Sequence, residues 1–384
     1  MVFRKSVMTF CLLLMMVALM HPAAAEGSGT AAGYLYSWGN NANNQTVYPD
    51  DQNPVAVSTG AFHSLALRSD GRLVAWGDDT YGQTQVPDGN DFSAIAAGGY
   101  HNIALRANGS LVGWGRNNFN QTRVPAGNDY IAISSGVWHS VALRSDHSLV
   151  AWGNNDYGQT DVPPGNDFIA VSAGGCHSLA LRTDGSIVAW GQTGLHMENV
   201  PAGNDFVAVS AGWYHNLALR SNGSVTGWGM GYNSLPMPEG NDYSAISAGG
   251  YHGILLRNDG VAIAYGWNRY DQTGEIHGVD VRDVAAGYTH NVILYKPLDN
   301  SKKDTAAVIH PVRSKNPDMF AVNGEPLAIE DDVSPRIWVN TPLSPGHRIF
   351  GYEVPWGCTV VHDGKNKITR VYGPDRKEIF WAYD

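Results

Sequence analysis

The sequence predicts an all-β fold, a seven-bladed β-propeller built from repeats of about 38 residues. Three observations carry that reading. His63, His101, His139, His177, His215, His252 and His290 follow one another at intervals of 38, 38, 38, 38, 37 and 38 residues. Each opens a phrase such as HSLALRSDG or HNLALRSNG. A Trp-Gly pair keeps step with them at Trp38, Trp76, Trp114, Trp152, Trp190 and Trp228, and Tyr265-Gly266 takes the last position. A third phrase, PxGND followed by Phe or Tyr, begins at Pro87, Pro125, Pro163, Pro201 and Pro238.

Each repeat divides into short apolar segments separated by turn chemistry. In the fifth copy these are FVAVSAG, HNLALRS and SVTGWG. Asp-Gly or Asn-Gly between the last two predicts a hairpin, because both residues tolerate positive φ. No segment keeps a helical period over ten or more residues, so a unit of three or four strands, the size of one blade, is expected. The end copies are incomplete in complementary ways. Tyr34–Gly39 (YLYSWG) supplies only a final strand, whereas RDVAAG and HNVILYK supply only the first two. The N-terminal strand is therefore expected to close the ring and leave no open sheet edge.

The flanks read differently. Residues 1–25 have a basic start (Arg4, Lys5), an apolar run from Met8 to Met20 and a small-residue exit at Ala23 and Ala25. That is the pattern of a secretory signal peptide cut between Ala25 and Glu26, which predicts a secreted or periplasmic protein without a membrane span after cleavage. The propeller is assigned to 26–296, a polar linker to 297–319, and a small β module to 320–384, where RIWVNT, RIFGYEV, CTVVHDG, KITRVYG and KEIFWAY are β-like runs. Cys11 leaves with the signal. Cys176 and Cys358 remain, too few for a disulfide scaffold, and either free or joined in one bridge. The propeller segment holds 12 basic and 23 acidic side chains, a net −11. Such a body opposes nucleic acid as a partner, since phosphate contacts need Lys and Arg.

The phrases HSLAL, DGxxxAWG and GQT resemble the repeat of the regulator of chromosome condensation superfamily, over about Tyr34 to Lys296. The short period and the form AWGDDTYGQTQVP resemble its secreted bacterial variants, the beta-lactamase inhibitory protein II group. That resemblance implies compact three-stranded blades and a protein-binding face, to which aromatics before the histidine position contribute. Nucleotide exchange on a small GTPase, a role within the wider superfamily, is opposed by the signal peptide and the acidic body. Light sensing by tryptophan clusters, found in plant relatives, is opposed by GWYHN, which offers one tryptophan of the needed kind.

Strand direction sorts the loops. The turn before each histidine and the NNxYGQT loop share one end, called the top here, while the Asp-Gly hairpin and the VPxGND return share the other. The bottom turns are nearly constant between copies and the top loops vary, so the top face is where binding residues are expected. Phe62, Tyr100, Trp138, Tyr214, Tyr251 and Tyr288 stand at or next to the position before the histidine, and Tyr81, Phe119, Tyr157, Tyr232 and Tyr270 in the outer loops. All but Tyr232 form the candidate ligand-binding set, since aromatic anchors among polar groups are the composition of interfaces. The alternative for the same rings is packing between blades.

The repeated histidines read as framework, each imidazole hydrogen-bonded to backbone at a blade junction. Seven equivalent positions around a ring would not converge on one metal ion. The sequons at Asn44, Asn108, Asn120 and Asn222 are explained by turns, with Asn44 and Asn120 standing where other copies place a glycine. There is no nucleophile elbow, HExxH or phosphate loop. Cys176 beside His177 suggests a nucleophile and base, but that histidine recurs in every copy and Cys176 fills an aromatic slot. No catalytic residue, metal site or cofactor is assigned. The expected function is a monomeric, secreted binding propeller that takes a protein partner, in one version an inhibitor of an extracellular enzyme. A carbohydrate or cell-envelope ligand is the alternative.

Overall fold

A computed structural model describes residues 33–297 except 50–52, 193–196, 198, 230–236 and 278, together with six short strands after residue 338. The expected signal peptide, Tyr232, Cys358 and nearly all of the linker lie outside the described residues. Met1–Lys315 and Asn316–Asp384 form two compact units.

The first unit is a propeller of seven antiparallel blades. Blade 1 consists of Pro54–Thr59, His63–Arg68 and Leu73–Gly77, and blade 4 of Phe168–Ala173, His177–Arg182 and Ile187–Gly191. Blades 2, 3 and 5 repeat the pattern around His101, His139 and His215. Blade 6 departs from the three-stranded expectation, adding Gly274–Ile276 outside Ala262–Gly266. Blade 7 joins Val279–Ala286 and His290–Pro297 to Tyr34–Gly39, whose Trp38 lies opposite Asn291. The N-terminal strand thus closes the ring.

The middle strands explain their continuous apolar sequence. Every HSLALR-like strand is buried along its length except at the terminal arginine, because a neighbouring blade covers each of its faces. The core accordingly lies at the seams. Leu65, Leu67 and Leu73 of blade 1 meet Phe92 and Ile95 of blade 2, and Leu179 and Leu181 of blade 4 meet Phe206 and Val209 of blade 5. The arginine ends over the ring that opens its own blade, as Arg182 does over Phe168 at 4.6 Å, and binds the Asp of GND, here Asp167 at 2.6 Å. This makes the bottom face a repeated structural device.

The bottom hairpins correct one expectation. Gly109 N–H donates to Arg106 O at 2.9 Å and Arg106 N–H to Ser110 O at 2.8 Å. This is a three-residue loop in which the glycine alone takes positive φ, +82°, and Asn108 uses its side chain to accept from Ser110 N–H at 3.0 Å. His147 stands in the same place in blade 3 with φ 65°. Asn44 and Asn120 do take the left-handed position (60° and 61°) that Gly82 and Gly158 hold in sister loops.

The seven histidines are buried, and six of them link blades through side chains in place of the backbone expected. Nε2–H of His63 donates to Asn102 Oδ1 at 2.7 Å, that of His177 to Asn216 at 2.6 Å, and that of His252 to Asn291 at 2.7 Å. His101, His139 and His290 meet the hydroxyls of Ser140, Ser178 and Ser64 at 2.8–2.9 Å, the last joining blade 7 to blade 1. The belt is broken once. The residue after His252 is Gly253, which offers His215 nothing; that ring meets the Gly250 backbone instead, and its buried Nε2 has no partner. A Cβ on Gly253 would lie 3.0 Å from the ring of Tyr265, the residue that replaces the usual tryptophan. Glycine and tyrosine there are thus one paired exchange. We predict that Gly253→Ser alone destabilises the fold, and that adding Tyr265→Trp recovers the loss with a coupling of about 1 kcal/mol or more, measured by a denaturation cycle over the four proteins.

In the second unit, Val339–Pro342, Thr359–His362, Ile368–Tyr372 and Glu378–Phe380 form a four-stranded antiparallel sheet, and Arg348–Ile349 pairs with Tyr352–Glu353. The short strands fall within the five runs singled out in the sequence, except that the first continues one residue further, to Pro342.

Candidate partner-binding face

The top face is positioned by the ends of the strands. The third strand of each blade finishes opposite the histidine that starts the second, as Gly77 does opposite His63. The next residue's N–H donates back to the residue before the histidine, at 2.9 Å from Asp78 to Phe62 O and from Arg116 to Tyr100 O. The outer loop is tied from within by its buried glutamine. Gln83 Oε1 accepts from Tyr81 N–H at 2.8 Å, and Gln121 and Gln272 hold Phe119 and Tyr270 in the same way. A ring before the histidine and a ring in the preceding blade's loop are thereby brought side by side.

These rings form a connected surface. Phe119 packs edge-on against Trp138 at 5.9 Å, Trp138 stacks on Tyr100 at 5.5 Å, and Tyr81 meets Tyr100 edge-on at 5.7 Å. Phe62 lies 6.0 Å from both Tyr100 and Tyr288, which carries the contacts across the closure seam. Tyr251 continues the path, 6.1 Å from Tyr288 and stacked on Tyr214 at 4.7 Å. Trp267 packs edge-on against Tyr251 and Tyr270. Trp213 of blade 5 stacks on Tyr288 of blade 7 at 4.1 Å and borders an axial cavity of about 60 Å³.

Of the ten expected residues, nine are therefore in ring contact. Phe62, Tyr100, Trp138, Tyr214, Tyr251 and Tyr288 are half-buried, while Tyr81, Phe119 and Tyr270 are exposed. Tyr157, at 53% the most exposed of them, makes no ring contact among the described residues. The reason is local. Its neighbour in the next blade is Cys176, where Tyr81 and Phe119 have Tyr100 and Trp138. The path stops at blade 4. The inner rings pack against one another across blades, as the packing reading expects, while the outer ones stay open to solvent. The stack of Trp213 on Tyr288 and the seat of Arg116 between Tyr81 and Trp138, 4.7 Å from each ring centre, are features that residue spacing alone did not reveal.

The electrostatics of the face are set by burial. Burial, then the hydroxyls of Tyr214 and Tyr288, push Tyr251 far above the usual phenol range. Burial, with Asp156 nearby, pushes the Cys176 thiol up, which is the wrong direction for a nucleophile. His177 is fully enclosed, is lowered by that burial and is committed to Asn216. The adjacent cysteine and histidine are not assembled as nucleophile and base. Among the described residues, no three His, Cys, Asp or Glu side chains gather to hold a metal ion, and no helix is long and apolar enough to cross a membrane.

Comparison with known proteins agrees with this architecture. The Regulator of chromosome condensation (RCC1) repeat matches residues 55–83, 92–121, 130–159, 168–194 and 206–234. No curated protein matches the chain in sequence. Among solved structures, Prp20p of Saccharomyces cerevisiae is similar with a TM-score of 0.63 at 16% identity, covering 73% of this chain and 94% of that one. Human WBSCR16 is similar with a TM-score of 0.59 at 16% identity, over 70% of this chain and 100% of its own. The ectodomain of the Physcomitrella patens receptor kinase CR4 gives a TM-score of 0.52 at 25% identity, over 60% and 65%. Five of the seven blades thus match the regulator of chromosome condensation repeat, and the chain folds as a seven-bladed β-propeller similar to these structures.

Proposed function

We propose that this propeller is a binding protein whose aromatic top face takes a protein partner, and that it works outside the cytoplasm. One observation carries the first part: rings from six of the seven blades form a connected, partly exposed surface on the variable face, while the constant face is occupied by its own Arg–Asp pairs. Aromatic anchors that are already packed against one another are held rigid before binding, so little side-chain freedom is lost on association. Prp20p, similar in fold, is described as binding Gsp1p and histones, which shows that such a scaffold can carry protein surfaces. The signal-like residues 1–25 support action beyond the membrane, and inhibition of an extracellular enzyme is the specific role this reading favours.

Changing Tyr100, Trp138 and Tyr214 together to Ala tests it. We expect the purified full chain to capture a discrete protein from secreted material and the variant to lose that capture by about a hundredfold or more, since several hot-spot rings are removed. Far-UV circular dichroism and the denaturation midpoint establish that the variant is folded. Undiminished capture by the folded variant, or capture of a glycan and no protein, would reject the proposal.

A further inference from the structure

We propose that Arg116 is the anchor through which the aromatic face grips a carboxylate side chain of its protein partner. The inference rests on the protein-binding reading above and names the chemistry of the contact. Seven arginines of the propeller are neutralised by the chain itself. Arg68, Arg106, Arg144, Arg182, Arg220, Arg257 and Arg282 each lie in an ion pair with an aspartate. Arg116 has no ion pair and no side-chain hydrogen bond among the described residues, and its Nε is enclosed without a hydrogen-bond partner. Carboxylates are not scarce in a segment with 23 of them, yet none is placed on this cation.

Arg116 is nevertheless held. Its backbone N–H is fixed to Tyr100 O at 2.9 Å. Its guanidinium carbon sits 4.7 Å from the centres of Tyr81 and Trp138 and 5.7 Å from that of Tyr100. Among the described residues Arg72, Arg123 and Arg269 also have no ion pair, but Arg269 lies over one ring only, Tyr270 at 5.9 Å, and the other two over none. Nor is it a scaffold residue: the corresponding positions after Gly are Asn40, Asp78, Asn154, Gln192, Met230 and Trp267, so arginine occurs once in seven copies. A planar guanidinium covered by rings on its faces keeps its N–H edges for a ligand, and that fork fits a carboxylate in two parallel bonds. The element recognised is an Asp or Glu flanked by apolar side chains, the acid on Arg116 and its neighbours over Tyr81, Tyr100 and Trp138. The acidic body repels a partner's other carboxylates, so a single acid within an apolar or basic setting fits best.

A random twelve-residue peptide library displayed on phage and panned on the full chain tests this. We expect the selected peptides to share an Asp or Glu within two residues of an aromatic or large aliphatic residue. A synthetic copy of one such peptide should lose about tenfold or more in affinity on Arg116→Gln and on replacing its acid by the amide, and should weaken with salt on the wild-type chain but not on Arg116→Gln. Arg116→Lys, which keeps the charge and loses the fork, should recover less than half of that loss on a logarithmic scale. Equal denaturation midpoints for the three proteins exclude a folding defect. Selected peptides without an acid, or acidic peptides that bind Arg116→Gln as well as wild type, would overturn the anchor while leaving the protein-binding face intact. Peptides insensitive to the Tyr100, Trp138 and Tyr214 triple change would overturn the face and the anchor together. Retention of a glucuronate-containing oligosaccharide through Arg116 in place of any peptide would overturn the protein partner.

Discussion

Lowering the pH from 7.5 to 4.5 is expected to unfold the propeller in one steep transition centred near pH 5. The cause is the histidine belt. Burial lowers all seven imidazoles, His101, His139 and His290 to about 3 and His215 and His252 to about 4, with His63 and His177 moved the same way. In the unfolded chain each titrates near 6.5. Between those values the unfolded chain holds protons that the folded one refuses. Stability is therefore full above pH 6.5, falls as the pH drops below it, and goes on falling until the folded values are reached. Each of the five histidines lowered to about 3 or 4 costs about 1.4 kcal/mol per pH unit in that window, roughly 2 kcal/mol at pH 5, and the five together roughly 10 kcal/mol, with His63 and His177 adding in the same direction. That is comparable with the entire stability of an ordinary domain, about 5–15 kcal/mol. Circular dichroism and tryptophan fluorescence across the range, with the proton uptake measured by titration, check it. A propeller still folded at pH 4 would contradict the burial of the belt, as would an uptake of fewer than about three protons on acid unfolding.

The second large effect is expected at the closure seam. Trp38, 7% exposed, sits in the core between blades 6 and 7 with Ile254, Val284 and Ile293, and its Nε1–H donates to Gln272 O at 3.1 Å. It belongs to the only strand that reaches its blade from the far end of the chain. Trp38→Ala leaves a large cavity and removes one of two donors to Gln272 O, which keeps Asn291 Nδ2–H at 2.7 Å, for an expected loss of about 3–5 kcal/mol in chemical denaturation. Deleting residues 1–39 goes further. It exposes the edge of His290–Pro297 and the apolar side of blade 1 around Val57 and Trp76, so the expected product is an unfolded or aggregated chain. Tyr157→Ala, an exposed ring outside every cluster, should change stability by about 0.5 kcal/mol or less. A Trp38 variant as stable as the Tyr157 variant would mean that the ring is not closed by this strand.

Much of this architecture can be read from residues alone, for an identifiable reason. A blade cannot bury its own faces, so each copy must carry the same seam residues, and repetition turns that requirement into a visible period. His63 and its six counterparts, the Trp-Gly pairs and the split seventh copy were legible on those grounds. The partners of the histidines were not, because Asn102 or Ser140 one residue beyond a histidine looks like any small polar residue in a strand. Only the juxtaposition of neighbouring blades brings the two together. The hairpin geometry was half legible: Gly109 was placed correctly at positive φ, while Asn108 turned out to act through its side chain. On the top face the positions of the rings followed from the loop sorting, and the gap at Cys176 from comparison of the copies. The contact of Trp213 with Tyr288 spans two blades, and no spacing within one copy encodes it.

The central claim is that binding occurs on the aromatic face. Hydrogen–deuterium exchange of the full chain with and without its captured partner tests it most directly. The account predicts added protection in the top loops of blades 1 to 3, around residues 78–85, 98–101 and 116–123, and unchanged exchange in the opposite hairpins at 69–72, 107–110 and 145–148. Protection confined to those hairpins, with the top loops unchanged, would contradict it.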